Sequence, residues 1–325
     1  MSRPILIDTD PGIDDALALL LAFGSPEVSV EAISTVAGNV PVEVATANVF
    51  RILDVARPKR APRVARGAAA PLARELVTAV EFHGADGLGN LDRICEPDGQ
   101  PRYPGPPGAL DALDGAELIL DSADRFGSEL TDVALGPLTN VALALRRDRA
   151  RLARIGRLVV MGGAVTVPGN VTPAAEFNFF VDPEAAAEVV EAGLPTILTP
   201  LDVTRQVILT QRMLVERLER RDRAACFVTD MKAHSFRGAA GLDDGGIALH
   251  DPLAVALAVD PSLASLEALH VAIETEGRVT RGMSLADRRP IPAGERQPAN
   301  CQVALGVARE RFLEMFLERL CPARG

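Results

Sequence analysis

Four aspartates stand within eight residues near the start of this chain, in the run Asp8-Thr9-Asp10-Pro11-Gly12-Ile13-Asp14-Asp15. Carboxylates that close repel one another unless protons or a cation neutralise them. Hard oxygen donors without neighbouring Cys or His favour calcium or magnesium over zinc. The same residues also suit helix capping, because aspartates at a helix N-terminus satisfy free N–H groups and its dipole; capping accounts for two of the four.

A second acidic position is Asp251, preceded by His250 and followed by Pro252 and the apolar run Leu253–Val259. Read alone it is an N-cap before proline, as in Asp182-Pro183-Glu184. His250 changes the chemistry available, since histidine exchanges protons near neutral pH. It is one of four histidines, with His83, His234 and His270. A third place is the run Gly169–Asn178, which carries Asn170, Glu176 and Asn178 in a loop longer than a simple turn. These residues either cap and brace the loop or bind a polyhydroxyl ligand such as a sugar.

Short β-branched runs alternate with longer amphipathic segments, the pattern of an α/β fold with a mainly parallel, Rossmann-like sheet flanked by helices. Strands are predicted at Pro4–Asp8, Val28–Thr35, Asp132–Leu135, Arg157–Met161 and Thr196–Thr199. Helices are predicted at Ile13–Phe23, Val42–Ala56, Leu110–Phe126, Leu138–Arg147, Pro183–Ala192, Gln211–Arg220, Pro252–Val259 and Glu310–Leu320. His270 falls in a further strand-like run, Leu269–Ile273. The two-residue period places Asp8 and Asp10 on one face of the first strand, and Pro11-Gly12 turns the chain into a helix. Ligands of such sheets bind at the carboxyl ends of the strands. Polar residues follow five strands: the acidic run, Gly38-Asn39, Gly136-Pro137-Leu138-Thr139-Asn140, Met161-Gly162-Gly163 and Leu201-Asp202-Val203-Thr204.

At 325 residues, 48% hydrophobic and 24% charged, the chain is globular, and its short Pro/Gly-rich stretches read as loops within one domain, 1–325. The net charge of −10 disfavours nucleic acid or an anionic membrane and favours a small neutral ligand. No apolar run is long enough to span a bilayer, and the N-terminus enters a strand without the features of a signal peptide. Cys95, Cys226, Cys301 and Cys321 are far apart, which argues against a zinc site or disulfide framework. The expectation is a cytoplasmic protein.

The run Asp8-Thr9-Asp10-Pro11-Gly12-Ile13-Asp14-Asp15-Ala16 resembles the DTDPGxDDA signature of the inosine-uridine-preferring nucleoside hydrolases. Further blocks follow in the family's order: Ala37-Gly38-Asn39, His83–Gly89, Gly136–Asn140, Met161–Gly163, Glu176–Asn178 and His250-Asp251. The resemblance spans most of the chain. It implies the nucleoside hydrolase fold, a homo-oligomer, and cleavage of purine or pyrimidine ribonucleosides to free base and ribose. Asp10, Asp15, Asp251 and the backbone carbonyl of Leu135 would hold calcium, with Asp10 also the general base for a water held there. Asp14, Asn39 and Asn178 would bind the secondary ribose hydroxyls, Asn170 and Glu176 the 5′-hydroxyl, with Met161 and His83 completing the substrate pocket. His250 would be the acid for the departing base. That chemistry is coherent, because an oxocarbenium-like sugar needs a gripped ribose and an activated water.

The sequence departs from the family where the base binds, since its single tyrosine is Tyr103, in the turn-rich stretch Pro101–Pro107. The segment Ala225–Leu249, expected to be mobile, offers His234, Phe236 and Arg237 instead. Two other readings compete. A haloacid dehalogenase-type phosphatase also ends a strand with DxD, but needs a later lysine, and Lys59 and Lys232, the only two, are poorly placed. A non-catalytic nucleoside-binding protein would keep the fold without turnover.

Overall fold

The structure, a computed structural model, describes residues 2–217, 223–238, 246–290, 292 and 295–320. Its strands are β1 (Arg3–Thr9), β2 (Val28–Thr35), β3 (Arg63–Arg66), β4 (Thr131–Ala134), β5 (Arg157–Met161), β6 (Thr196–Thr199), β7 (Ile208–Leu209), β8 (Ile247–Ala248), β9 (Ala264–Leu269), β10 (Val271–Ile273), β11 (Ser284–Ala286) and β12 (Cys301–Val307). Eight of them form one sheet in the order β3-β2-β1-β4-β5-β6-β12-β9, parallel except for β9, which runs antiparallel to β12. The strand order reverses at β1, so the chain leaves β1 and β4 beside the crevice where α/β proteins bind ligands.

The central strands alternate. Ile5, Ile7, Val133 and Val159 face one core, built with the long helices α1 (Ile13–Phe23) and α2 (Val42–Ala56). Leu6, Ala134, Leu158 and Val160 face the other. After α3 (Val80–His83), that second core is closed by α4 (Gly115–Phe126), α5 (Thr139–Arg147) and α8 (Pro183–Glu191). Short helices α6 (Arg149–Leu152) and α7 (Phe177–Val181) precede α8, and α9 (Leu201–Thr204), α10 (Gln211–Arg217) and α11 (Arg223–Gly238) follow it. The chain ends on α12 (His250–Val259) and α13 (Arg309–Leu320), which join the first core. Every residue of α12 from Asp251 to Val259 is buried, because α12 lies between α1 and strands β4 and β5. A helix enclosed on all sides is apolar all round, which is why Leu253–Val259 shows little amphipathic pattern. Among the described residues no helix is long and apolar enough to cross a membrane.

The predicted strands and most predicted helices are found within a residue or two of their expected ends. The helix expected from Leu110 instead starts at Gly115, where Asp114 caps it by accepting from the Glu117 N–H at 3.0 Å. Strands β3, β7, β8, β9, β11 and β12 were not expected: β3 and β9 are half-exposed edges of the main sheet without clean alternation, and β7, β8 and β11 have two or three residues each. The run Leu269–Ile273 is two strands rather than one. β9 stops at Leu269 on β12, and β10 resumes after His270 to pair with β11. The segment expected to be mobile contains α11 and β8. Tyr103 packs edge-on against Phe227 of α11 and donates to Asp230 at 2.9 Å, while Arg102 binds the same carboxylate at 3.0 Å. The tyrosine is buried and fastens a helix. The side chains of His234, Phe236 and Arg237, and Cys321, lie outside the described residues.

The strut between β1, β2 and the loop after β3 is one amide. Asn140, fully buried at the start of α5, donates to Asp8 Oδ1 at 2.7 Å and to the Thr35 carbonyl at 2.9 Å, and accepts from the Ala68 N–H at 2.8 Å. Removing it leaves buried partners unsatisfied. Asn140→Ala is therefore expected to lose roughly 3 kcal/mol or more of unfolding free energy, at one to three per orphaned group. Urea denaturation checks this, and a loss below about 1 kcal/mol contradicts the strut.

Candidate active site

The acidic run crosses from β1 into α1, and its members part company there. Asp8, still in the strand, turns toward the second core, where Asn140 and Ser34 donate to Oδ1 at 2.7 and 2.5 Å. Burial pushes its carboxyl up to about 7, against those two hydrogen bonds. Asp8 and Asp10 thus do not share a face, because β1 ends at Thr9 and Asp10 lies in the turn. Asp132, fully buried in β4 near Asp8, is likewise raised well above the usual range by burial and by Asp8.

Asp10 sits at the crevice. Its Oδ2 accepts from the Asn39 N–H at 2.6 Å, and its buried Oδ1 has no hydrogen-bond partner. Gly38 and Gly136 crowd it so closely that a Cβ would come within 2.1 Å of Oδ2 and 2.5 Å of Oδ1, so both positions require glycine. Asp15 reaches back to the Gly12 N–H at 2.9 Å, closing the first turn of α1, and also accepts from Thr9 Oγ1 at 2.5 Å and Asn39 Nδ2 at 3.1 Å. Asp14 joins the two central helices: its Oδ2 accepts from the N–H groups of both His250 and Asp251 at 3.1 Å, capping α12. Asp251 is held close to this group. Burial, then Asp15, Asp14 and Asp10, raise its carboxyl well above the usual range, and burial, Asp15 and Asp8 do the same to Asp10.

Three carboxylates, Asp10, Asp15 and Asp251, are thereby gathered from distant parts of the chain, each no more than 5% exposed. As they stand, no three Asp, Glu, His or Cys side chains among the described residues form a ready coordination shell. The reason is local: Asp15 and one oxygen of Asp10 are turned to backbone and amide donors. The donor chemistry nevertheless suits a hard divalent cation, and the unpartnered Oδ1 of Asp10 is the atom such an ion would satisfy.

The remaining expected residues border the same crevice. Asn178 donates to the Leu135 carbonyl at 2.6 Å and to the Met161 carbonyl at 3.2 Å, linking the ends of β4 and β5. Glu176 caps α7, accepting from the N–H groups of Asn178 at 2.9 Å, Gly163 at 3.1 Å and Phe179 at 3.2 Å. Asn170 accepts from the Phe177 N–H at 2.9 Å. Both therefore brace their loop. His83 Nδ1 accepts from the Ile13 N–H at 3.1 Å, at the first turn of α1. His250 Nδ1 lies 2.7 Å from Thr204 Oγ1, and burial, then Arg205 and His83, lower its pKa to about 4.

Sequence reasoning placed Leu201-Asp202-Val203-Thr204 on the rim but gave it no task. In the structure Asp202 accepts from the N–H groups of Val165 at 2.8 Å and Thr166 at 2.7 Å, and Arg205 donates to the carbonyls of Pro168 and Gly169 at 2.8 and 2.7 Å. The available signal was the polar run directly after a buried strand.

The chain is similar to known proteins along nearly its whole length. The profile of the family described as inosine-uridine preferring nucleoside hydrolase matches residues 5–314. The chain is 39% identical over 326 aligned positions to the pyrimidine-specific ribonucleoside hydrolase RihA of Shewanella sp. (strain ANA-3), covering 98% of this chain and 96% of that one. Its fold is similar to that of the plant nucleoside hydrolase PpNRh1, with TM-score 0.89, 32% identity and coverage of 99% and 100%. It is also similar to the purine-preferring ribonucleoside hydrolase from Gardnerella vaginalis, with TM-score 0.86, 32% identity and 98% coverage of both chains.

Glu176 gives the loop a pH signature. Burial raises its carboxyl from 4.5 to about 7, against the hydrogen bonds it accepts. A raised acid is easier to ionise in the unfolded chain, so the stability it contributes is full below pH 4.5 and is lost as pH rises through about 7. Glu176→Gln lacks that ionisation, so its stability relative to wild type should rise across this window. Urea midpoints of both proteins at about pH 5 and about pH 8 check this, and a constant gap contradicts it.

Proposed function

The chain belongs to the inosine-uridine preferring nucleoside hydrolase family, and from that premise we propose that it cleaves the N-glycosidic bond of ribonucleosides, releasing free base and ribose. It is a hydrolase of N-glycosyl compounds, and a phosphatase reading is set aside. The observation that carries the mechanism is the buried trio Asp10, Asp15 and Asp251 at the strand-order reversal, with Asp10 Oδ1 unpartnered.

In this reading Asp10, Asp15, Asp251 and the Leu135 carbonyl would hold calcium. When bound, calcium orients ribose hydroxyls and water together and makes that water more acidic. Asp10 would act as general base for the attacking water, with its Oδ2 held by the Asn39 N–H. The water oxygen bonds to the anomeric carbon as the C–N bond breaks and its electron pair leaves with the base. Asp14, Asn39 and Asn178 bind the secondary hydroxyls of ribose. Asn170 and Glu176 take the 5′-hydroxyl, Met161 and His83 line the pocket, and His250 supplies the proton or hydrogen bond that the departing base needs. The carboxylates also favour the positive charge that develops on the sugar.

The wider reading is one catalytic unit over 1–325, since β12 near the end of the chain pairs inside the sheet that β1 begins. It is a cytoplasmic homo-oligomer whose partner is the nucleoside. The net charge of −10 supports that choice over nucleic acid or an anionic membrane.

The test is release of ribose from a panel of purine and pyrimidine ribonucleosides, with and without a chelator, which also reads the base preference. Chelation should abolish turnover and lower the melting temperature, because an ion bound only by the folded chain stabilises it. If exhaustive chelation moves neither, the calcium assignment fails. Asp10→Asn should fold yet turn over roughly 10²–10⁴ times more slowly, the range for a lost general base. Near-normal turnover in that variant would remove Asp10 from the role.

A further inference from the structure

Histidine can act on a departing base only if the correct ring nitrogen faces it. In a neutral imidazole one nitrogen donates and the other accepts, and the partner of the first decides what the second offers. Here Nδ1 of His250 is engaged by Thr204 Oγ1 at 2.7 Å, and Thr204 is fully buried in α9. We propose that Thr204 is a positioning residue for hydrolysis, its hydroxyl holding His250 by Nδ1 so that Nε2 is presented to the leaving nucleobase as a donor.

A hydroxyl suits this task better than a carboxylate or a carbonyl. It can donate to Nδ1 of the neutral ring, which leaves the proton on Nε2, and it can accept from Nδ1–H if the ring carries a second proton. The ring orientation is therefore kept in either state. The anchor is also stiff. α9 follows β6 directly, Thr204 N–H bonds the Pro200 carbonyl at 3.2 Å, and the neighbouring Asp202 and Arg205 hold Val165, Thr166, Pro168 and Gly169. One short helix thus sets both the loop that carries Asn170 and the ring of His250.

The inference rests on His250 acting at the base, so the experiment measures that role alongside Thr204. With the full chain in calcium, kcat/KM is measured for inosine or uridine, whose bases leave poorly, and for p-nitrophenyl riboside, whose leaving group needs no proton. His250→Ala should lose far more on the nucleoside. Thr204→Val, nearly isosteric, should lose roughly tenfold or more on the nucleoside, bounded by the His250→Ala loss, and change the riboside little. Thr204→Ser should recover most of the activity, and Thr204→Val should add little in the His250→Ala background, as for residues acting as a unit. Nitrogen-15 spectra of the His250 ring should show one tautomer in wild type and in Thr204→Ser, and a mixture in Thr204→Val.

Equal losses on both substrates in Thr204→Val, no loss at all, or full additivity with His250→Ala would overturn the role of Thr204. If His250→Ala itself loses equally on both, the leaving-group reading of His250 falls first, and the assignment of Thr204 falls with it. A selective His250→Ala beside a non-selective Thr204→Val overturns only the inference.

Discussion

The crowding of buried carboxyl groups at the crevice is the constraint to which the neighbouring elements answer. Asp10, Asp15 and Asp251 are buried together, and burial and mutual repulsion raise Asp10 and Asp251. Two like charges about 4 Å apart cost about 4 kcal/mol at an effective dielectric of 20. A hydrogen bond to a charged group returns roughly 1.5–3 kcal/mol. The donors present, chiefly the N–H groups of Gly12 and Asn39 and the amide of Asn39, therefore offset one carboxylate's cost but not three. The N-termini of α1 and α12 meet here because their partial positive charge favours carboxylates.

Such charge is useful only if its geometry is fixed, and side-chain amides do that work. Asn39 joins Asp10, through its backbone N–H, to Asp15, through its side-chain amide; Asn140 joins β1 to β2, and Asn178 joins the ends of β4 and β5. An amide carries both donors and an acceptor without adding charge, so it can bridge a carboxylate and a carbonyl where a lysine or a further acid could not. Asp14 plays the corresponding part between helices, accepting from the backbone of α12 while belonging to α1. The result is a site framed by elements far apart in sequence but rigid relative to one another.

Much of this was legible beforehand. The buried strands β1, β2, β5 and β6 announced themselves as β-branched runs bounded by turn residues, and the acidic run and His250-Asp251 stood out by composition. That Asp10, Asp15 and Asp251 belong together was implied by the family resemblance rather than by any local pattern. What stayed hidden has physical causes. β3 and β9 are the two edges of the main sheet, and exposure blurs the alternation of both. Thr204 acts through one hydrogen bond to a partner 46 residues away and Asn140 through three to partners 72 to 132 residues away, and no spacing rule reaches that far.

The fastening of α11 has a spectroscopic consequence. The chain has no tryptophan, and Tyr103 is its only tyrosine. That phenol is buried against Phe227 and donates to Asp230, so the long-wavelength ultraviolet emission of the whole molecule arises at one junction between a loop and α11. Emission from this protein is therefore a native, label-free report on whether α11 is docked, insensitive to the core of the sheet until the fold itself is lost.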